Sequence, residues 1–262
     1  MNMKIPAARL DRIRSLVDQR GIVSVHELTE DLGVSEVTIR RDFALLEREG
    51  VLRRTRGGAL SPGRLAVSVP YDERQHLQAD AKAHIGRAAA ALVENGDIIF
   101  LSSGTTSLAM ARCLAGRERV TIITNSVHAV AELMVQSGIT VISTGGRASA
   151  QGGGLSGPLA ETAVAQLRAR KAFIGCSGIT QEGISNASIE RAAVDRRMIE
   201  RAAEAYVLAD HTKFGRLSLA MVAGFDAITA VITDAATPRP QLDLLEKSGV
   251  KVIVATNPGR EG

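Results

Sequence analysis

Two rhythms of apolar residues divide this chain. Before residue 60 the apolar positions recur at helical spacing: Leu10, Ile13, Leu16 and Val17, then Val25, Leu28 and Leu32, then Ile39, Phe43 and Leu46. That pattern predicts three short amphipathic helices. From residue 97 onward, short apolar runs alternate with helical stretches. The runs at 97–101, 121–124, 140–143, 172–175, 205–208, 230–233 and 250–255 predict strands, and 107–114, 127–137, 158–167, 189–203 and 241–248 predict helices. A further helical pattern covers 78–94. Near-continuous apolar strands between amphipathic helices indicate a mostly parallel sheet covered on both faces. The expected fold class is α/β, a small N-terminal helical unit joined to a larger Rossmann-like domain.

The punctuation of the first sixty residues sharpens their reading. Pro6 suits a first helical turn, where its missing N–H costs nothing, and Gly21 is placed to stop that helix. Ser24 and Glu27 form a capping-box pattern, Gly33 supplies a turn, and Ser35 is a good N-cap for the third helix. On that third helix Ile39, Phe43 and Leu46 share the inward face. Val37, Arg41, Ala44 and Arg48 fall opposite, with Thr38 and Arg40 on the flanks. Past Gly50, the alternation in VLRRTRGGAL suggests a hairpin carrying Arg53, Arg54 and Arg56. Helix, turn, helix and basic wing in this order are what a reader of the DNA major groove needs. Arginine can bond guanine bidentately or hold phosphate, and Val and Thr methyls can touch thymine. The candidate DNA-contacting residues are Ser35, Val37, Thr38, Arg40, Arg41, Arg53, Arg54 and Arg56. A purely structural three-helix unit with a solvated basic edge is the plainer alternative.

Charge changes this picture little. The net charge of the 262-residue chain is only +4, and residues 1–60 carry 11 Lys and Arg against 9 Asp and Glu. The basic character is local to the Arg40–Arg41 pair and the wing. No apolar run is long enough to span a membrane, and no apolar stretch near the start resembles an export signal. Cys113 and Cys176 form no disulfide framework and are expected to be small buried apolar residues, with the cytoplasm as compartment. The segment 61–70, SPGRLAVSVP, has two prolines, a glycine and no periodicity, and reads as a linker. The domain reading is 1–60 for the DNA reader, 61–74 for the linker and 75–262 for the larger domain.

Ligands of doubly covered parallel sheets sit beyond the carboxyl ends of the strands. Small polar loops fall at those ends here. Ser102, Ser103, Gly104, Thr105 and Thr106 follow the first strand and open a helix, whose backbone N–H groups and hydroxyls make a candidate phosphate cradle. Gly145, Gly146 and Arg147 follow the third strand, Ser177 and Gly178 the fourth, and Asp210, His211, Thr212 and Lys213 the fifth. Any one of these loops could be a plain turn; four at corresponding ends favour a site.

The run VSEVTIRRDFxxLExEGxLxRxxGGA over 34–59 resembles the N-terminal signature of the DeoR family of bacterial transcriptional repressors, with Phe43 where leucine is usual. The larger domain resembles the same family's sensor through IFLSSGTTSLA, TNS, TGGR, AFIGCSGI, VLADHTKFGR and ITDA. The resemblance implies a winged helix-turn-helix bound to double-stranded operator DNA as a homodimer or homotetramer. It also implies a ribose-5-phosphate-isomerase-like sensor that binds a phosphorylated sugar or polyol and needs no cofactor. Gly104, Thr105 and Thr106 would then hold phosphate, and Gly145, Gly146 and Lys213 would line the pocket. Two departures bear on the ligand. Ser102 stands where the family has Asp, and Arg191 and Asp195 reverse the family's Glu and Lys. The reversed pair is either an exposed helix-surface pair that tolerates inversion or a pocket with an altered charge pattern.

The competing class is a sugar-phosphate isomerase-like enzyme with an accessory DNA-binding domain. Isomerisation needs a carboxylate base, and Ser102 and Arg191 stand where the resemblance places carboxylates. Asp210 and Glu190 remain as candidates. There is no H-E-x-x-H metal pattern and no G-x-S-x-G elbow, and His128 and His211 read as loop or surface residues. A DNA-architectural protein without a small ligand is the third class, and it would not need polar loops at the strand ends.

Overall fold

The computed structural model describes residues 6–20, 22–54, 58–60, 71–149 and 152–256, with the backbone alone at 18–20, 22, 53 and 60. The chain forms two compact units, Met1–Val67 and Ser68–Gly262. The expected linker 61–70 lies outside the described residues, as do Gly21 and Arg56.

The first unit runs α1 (Pro6–Arg20), β1 (Ile22–Ser24), α2 (Val25–Leu32), α3 (Glu36–Arg48), β2 (Arg53–Arg54) and β3 (Gly58–Leu60). The expected caps form. The Ser24 hydroxyl accepts the Glu27 N–H at 3.0 Å, and the Glu27 carboxylate accepts the Ser24 N–H at 3.3 Å. Gly33 closes α2 at φ 63°, ψ 35°, a left-handed conformation that glycine adopts without strain. Ile13, Leu16, Val17, Leu28, Ile39, Phe43 and Leu46 form one apolar core. Asp42 is buried beside them in a two-pronged ion pair with Arg9, 2.6 and 3.1 Å. The pattern alone did not give β1. Its three residues are too few to carry a period, and they are recruited by long-range antiparallel pairing with β3, which also pairs β2.

The second unit runs α4 (Tyr71–His76), α5 (Ala79–Ala90), β4 (Ile98–Leu101), α6 (Thr105–Arg112), β5 (Val120–Thr124), α7 (Val127–Leu133), β6 (Ile139–Ser143), β7 (Arg147–Ser149), β8 (Gly154–Ser156), α8 (Pro158–Ala165), β9 (Ala169–Gly175), β10 (Gly178–Thr180), β11 (Gly183–Asn186), α9 (Ile189–Glu200), β12 (Ala202–Leu208), β13 (Ala220–Ala223), β14 (Ala230–Asp234), α10 (Arg239–Lys247) and β15 (Lys251–Ala255). Each of the seven predicted apolar runs is a strand of one seven-stranded sheet, and every neighbouring pair in it is parallel. Two apolar clusters cover its faces, one around Ile174, Met198 and Val207, the other around Ile85, Ile99 and Leu208. The fold class is α/β, as the alternation of runs and helices requires.

Strand order is β15-β14-β12-β9-β4-β5-β6. The chain steps outward from β4 to β5 and β6, returns to β9 on the other side of β4, and then steps outward through β12, β14 and β15. The direction reverses between β4 and β9, and a crevice opens beyond the carboxyl ends of such a pair. Two smaller antiparallel sheets, β10-β11-β13 and the β7-β8 hairpin, were not anticipated, because their short glycine-bearing strands show no alternation. Residues 71–74, read as linker, are the first turn of α4, with the Tyr71 ring buried and stacked on His128 at 4.2 Å. Cys113 is exposed rather than buried.

Candidate functional site

The outward face of α3 comes from rotation along a single element. Ile39, Phe43 and Leu46 turn inward, while Arg40, Arg41 and Arg48 are exposed and Val37 keeps 60% of its surface. Ser35 caps the helix through the Thr38 N–H at 3.3 Å, and the two hydroxyls lie 3.0 Å apart. Arg40 pairs with Glu36 one turn away at 3.3 Å. Arg41 has no carboxylate partner among the described residues. Arg54 is held differently: its backbone N–H and its Nε both bond Glu47, at 2.8 and 2.6 Å. The side chain of Arg53 and all of Arg56 lie outside the described residues. The outcome is a solvated helix face with bare cations beside a three-stranded wing.

The second constellation gathers at the β4/β9 crevice. α6 starts there, with Gly104 as its N-cap residue at φ 152°, ψ 162°. Ser103 donates its N–H to Asn125 at 2.7 Å, and its carbonyl oxygen accepts from Arg191 Nη2. The same Nη2 stands 3.2 Å from where a Cβ on Gly104 would lie. Thr106 is buried, Thr105 is half-buried, and the Ser107 hydroxyl is fully buried with no hydrogen-bond partner among the described residues. Arg191 Nε lies 3.6 Å from Asp195, whose carboxylate also accepts from Asn186 at 2.6 Å. Asp195 is wholly buried and the Arg191 side chain is 12% exposed, so this is no exposed surface pair. Burial pushes the Asp195 carboxyl up to about 7, against the opposing pull of Arg191 and Asn186.

More cations converge than the loops alone announced. Tyr71 packs on Gly153 so tightly that a Cβ there would meet the ring at 2.1 Å, and Gly153 has a left-handed φ of 68°. A side chain on Gly154 would likewise meet Ser103 at 2.4 Å. Arg74 bonds the Gly152 carbonyl at 3.4 Å and lies over the Tyr71 ring at 5.6 Å. The three glycines thus seat Tyr71 and Arg74 beside Ser103. Burial lowers the Arg74 guanidinium to about 10, and the positive charge of Arg191 adds to this. Lys82 of α5 points its ammonium at the carbonyl oxygens of Arg74 and Leu77. Burial brings it down to about 8, opposed by Asp210. Asp210, at the end of β12, accepts from the N–H and hydroxyl of Thr212 and lies 3.9 Å from Lys213 Nζ. Burial alone would raise Asp210, but Lys213, Thr212 and Lys82 together hold it below the usual carboxylate range. Cys176, between the two groups, has its thiol pushed up to about 12 by burial.

The other named residues have local partners. Ser102 is fully buried and its hydroxyl accepts the Gly175 N–H at 2.9 Å. Ser177 donates to Asn186 at 3.1 Å, linking it to Asp195. Gly178 lies in β10 against the Arg216 carbonyl, and Gly146 against the Ser156 carbonyl. Gly145 precedes it at φ 66°. Arg147, largely exposed, pairs with Glu190, which also accepts from Ser156 at 3.1 Å. His211 places its N–H and ring on Asp234 at 2.7 and 2.8 Å. Tyr71, Arg74, Lys82, Asn186 and Ser107 were not singled out from sequence. Arg74 and Lys82 look like ordinary helix-surface charges until the crevice closes over them. Among the described residues no His, Cys, Asp or Glu group could hold a metal ion, and no helix is long and apolar enough to cross a membrane.

Bare arginines on a capped helix beside a wing place the chain in the helix-turn-helix class of DNA-binding regulators. Residues 9–64 match the DeoR-like helix-turn-helix domain and residues 77–235 the DeoR C terminal sensor domain, so the chain belongs to the DeoR family of transcriptional regulators. It is 34% identical to the Uncharacterized HTH-type transcriptional regulator YgbI of Escherichia coli (strain K12), over 97% of this chain and 99% of that one. It is 32% identical to the Glycerol-3-phosphate regulon repressor of the same organism, over 90% and 94%. With the HTH-type transcriptional repressor GlcR of Bacillus subtilis (strain 168) the identity is 33%, over 94% and 95%. Among solved structures, ribose 5-phosphate isomerase A from Methanocaldococcus jannaschii is similar at TM-score 0.39 and 21% identity, over 52% of this chain and 54% of that one.

Proposed function

We propose that the chain is a repressor of a carbohydrate or polyol catabolic operon, released from its operator by a phosphorylated sugar or related metabolite. It acts as a homodimer or homotetramer, reads DNA through α3 and the wing, and catalyses no reaction of its own. One observation carries the ligand class: the buried, unpartnered Ser107 hydroxyl at the N-terminus of α6, with Arg191 and Arg74 beside it. A helix N-terminus with convergent cations suits a phosphate dianion. The family relative named for a glycerol-3-phosphate regulon supports the same ligand class. Effector binding need shift the DNA-binding equilibrium by only about 1–3 kcal/mol.

The test is a thermal-shift screen of phosphorylated sugars and polyols, followed by release of the full chain from DNA fragments selected from a randomised library. A ligand of the native state must raise the melting temperature. Ser107→Ala should leave the ligand-free melting temperature unchanged and reduce the shift. A screen in which no phosphorylated metabolite raises the melting temperature removes the sensor reading. Turnover of pentose or hexose phosphates above background would instead make the isomerase-like reading the correct one.

A further inference from the structure

The cations of the crevice fall into two groups on either side of Cys176. The first is at the end of β4: the α6 N-terminus, the Ser107 hydroxyl, Arg74 and Arg191, with Asp195 buried behind Arg191. The second is at the end of β12: Lys82 and Lys213 around Asp210. Cys176 feels both, through Lys213 and Asp210 on one side and Arg191 and Asp195 on the other. Strands β4, β9 and β12 are consecutive in the sheet, so the ends of β4 and β12 lie about 10 Å apart, two strand spacings.

A phosphate satisfies only the first group. In the second, the Lys213 ammonium lies 3.9 Å from Asp210 and the charge of Lys82 acts on the same carboxylate, so a positive charge is left over. Lys82 places two of its three hydrogens on the Arg74 and Leu77 carbonyls, which keeps one to give. The Lys213 ammonium makes no hydrogen bond among the described residues; its nearest carboxylate oxygen is Asp210 Oδ2, at 3.9 Å. Asp210 Oδ2 is buried and accepts no hydrogen bond among the described residues, its sister oxygen being taken by Thr212. An acceptor-only oxygen beside an ammonium group is a place for a hydroxyl group next to an anion.

Resting on the phosphorylated-effector reading, we propose that the metabolite carries an anion at each end, a phosphate at the α6 N-terminus and a carboxylate at Lys82 and Lys213. Asp210 Oδ2 accepts the hydroxyl on the carbon beside that carboxylate. The effector is a phosphorylated sugar acid, and its span of about 10 Å corresponds to a chain of roughly four to six carbons. A neutral sugar phosphate would leave the lysine pair without its counter-charge, a desolvation loss at the end of the pocket that recognises the acid.

The experiment is calorimetric titration of the intact chain with matched probes: 6-phosphogluconate, glucitol 6-phosphate, gluconate and fructose 1,6-bisphosphate. The phosphorylated acid should bind at least about tenfold tighter than glucitol 6-phosphate, the worth of one charge-assisted contact. Gluconate should bind far more weakly than either. Lys213→Gln should erase the preference for the phosphorylated acid over glucitol 6-phosphate, bringing the two affinities within about twofold of each other. The erythronate 4-phosphate and erythritol 4-phosphate pair repeats the comparison at the short end of the length range. Equal affinity for acid and polyol at both lengths overturns the carboxylate assignment and leaves the phosphate reading standing. Tighter binding of the bisphosphate overturns it in favour of a second phosphate. Failure of every phosphorylated probe overturns both readings together. The matched wild-type pairs decide the matter even if Lys213→Gln fails to fold.

Discussion

The face of α3 and the crevice at β4/β9 are both cationic, and they are built in opposite ways. The helix takes its exposed arginines from one continuous stretch, with only side-chain rotation deciding which point outward. The crevice draws Arg74, Lys82, Ser107 and Arg191 from four α-helices and Lys213 from a short 3-10 turn after β12, brought together only by the strand order. One surface leaves its charges in water, where they remain available to a polyanion at little desolvation cost. The other strips water from its charges, so that Arg74, Lys82 and Asp195 shift away from their ordinary values. A surface suits a long, repeating ligand; a buried cluster suits a small one of defined charge.

The largest test of this division is Phe43→Ala. Removing a fully buried ring from the first unit's core should cost about 3–5 kcal/mol, comparable to the whole stability of so small a unit. DNA binding should be lost while ligand-induced thermal stabilisation persists. Loss of both would show that the two surfaces do not rest on separate cores.

Asp195→Asn probes the buried side. The folded carboxyl titrates near 7, above its ordinary 3.8, so the native state retains a proton that the unfolded chain releases. The sign follows: this group's contribution falls as pH rises from about 4 to 7 and is level above that. The advantage of the asparagine variant should grow by roughly 2–3 kcal/mol between pH 5 and pH 8. Parallel denaturation curves at the two pH values would mean Asp195 ionises as a solvent-exposed carboxylate does.

On the exposed side, Arg41→Ala should cost about 1–3 kcal/mol on the preferred sequence and much less on random DNA. Equal losses on both would move Arg41 from base to phosphate. The smallest effect is expected from Glu47→Gln. It releases Arg54 from its bidentate partner, and should steepen the salt dependence of DNA binding by about one unit without changing base preference. An unchanged slope would place Arg54 out of reach of phosphate.

How legible each region was in the sequence follows from the same contrast. The caps at Ser24 and Ser35, the turn at Gly33 and the inward face of α3 are local, and the residue pattern was enough. The seven strands were legible as apolar runs, but the first residues of β9 were not. Lys171 interrupts that run, and its burial depends on Asp97, a partner 74 positions away at 2.8 Å. The strand-end loops marked where the crevice would be, because small polar residues after a strand are visible in any order of strands. Their individual duties were not visible. Gly178 belongs to a hairpin and Arg147 to an ion pair with Glu190, each set by contacts that no spacing encodes.

Ser102 shows what one atom can do at such a reversal point. Backbone pairing between β4 and β9 runs as far as the Ser102 N–H on the Phe173 carbonyl at 2.9 Å. The next rung is made by the Ser102 hydroxyl, which takes the Gly175 N–H and lets the strand ends diverge with that donor satisfied. A carboxylate in this position could accept the same N–H, but it would also bring a permanent negative charge near Arg191, whose Nη2 stands 3.5 Å from where a Cβ on Gly175 would lie. The hydroxyl is electrically silent. It finishes the sheet and leaves the full positive field of the crevice mouth to whatever enters it.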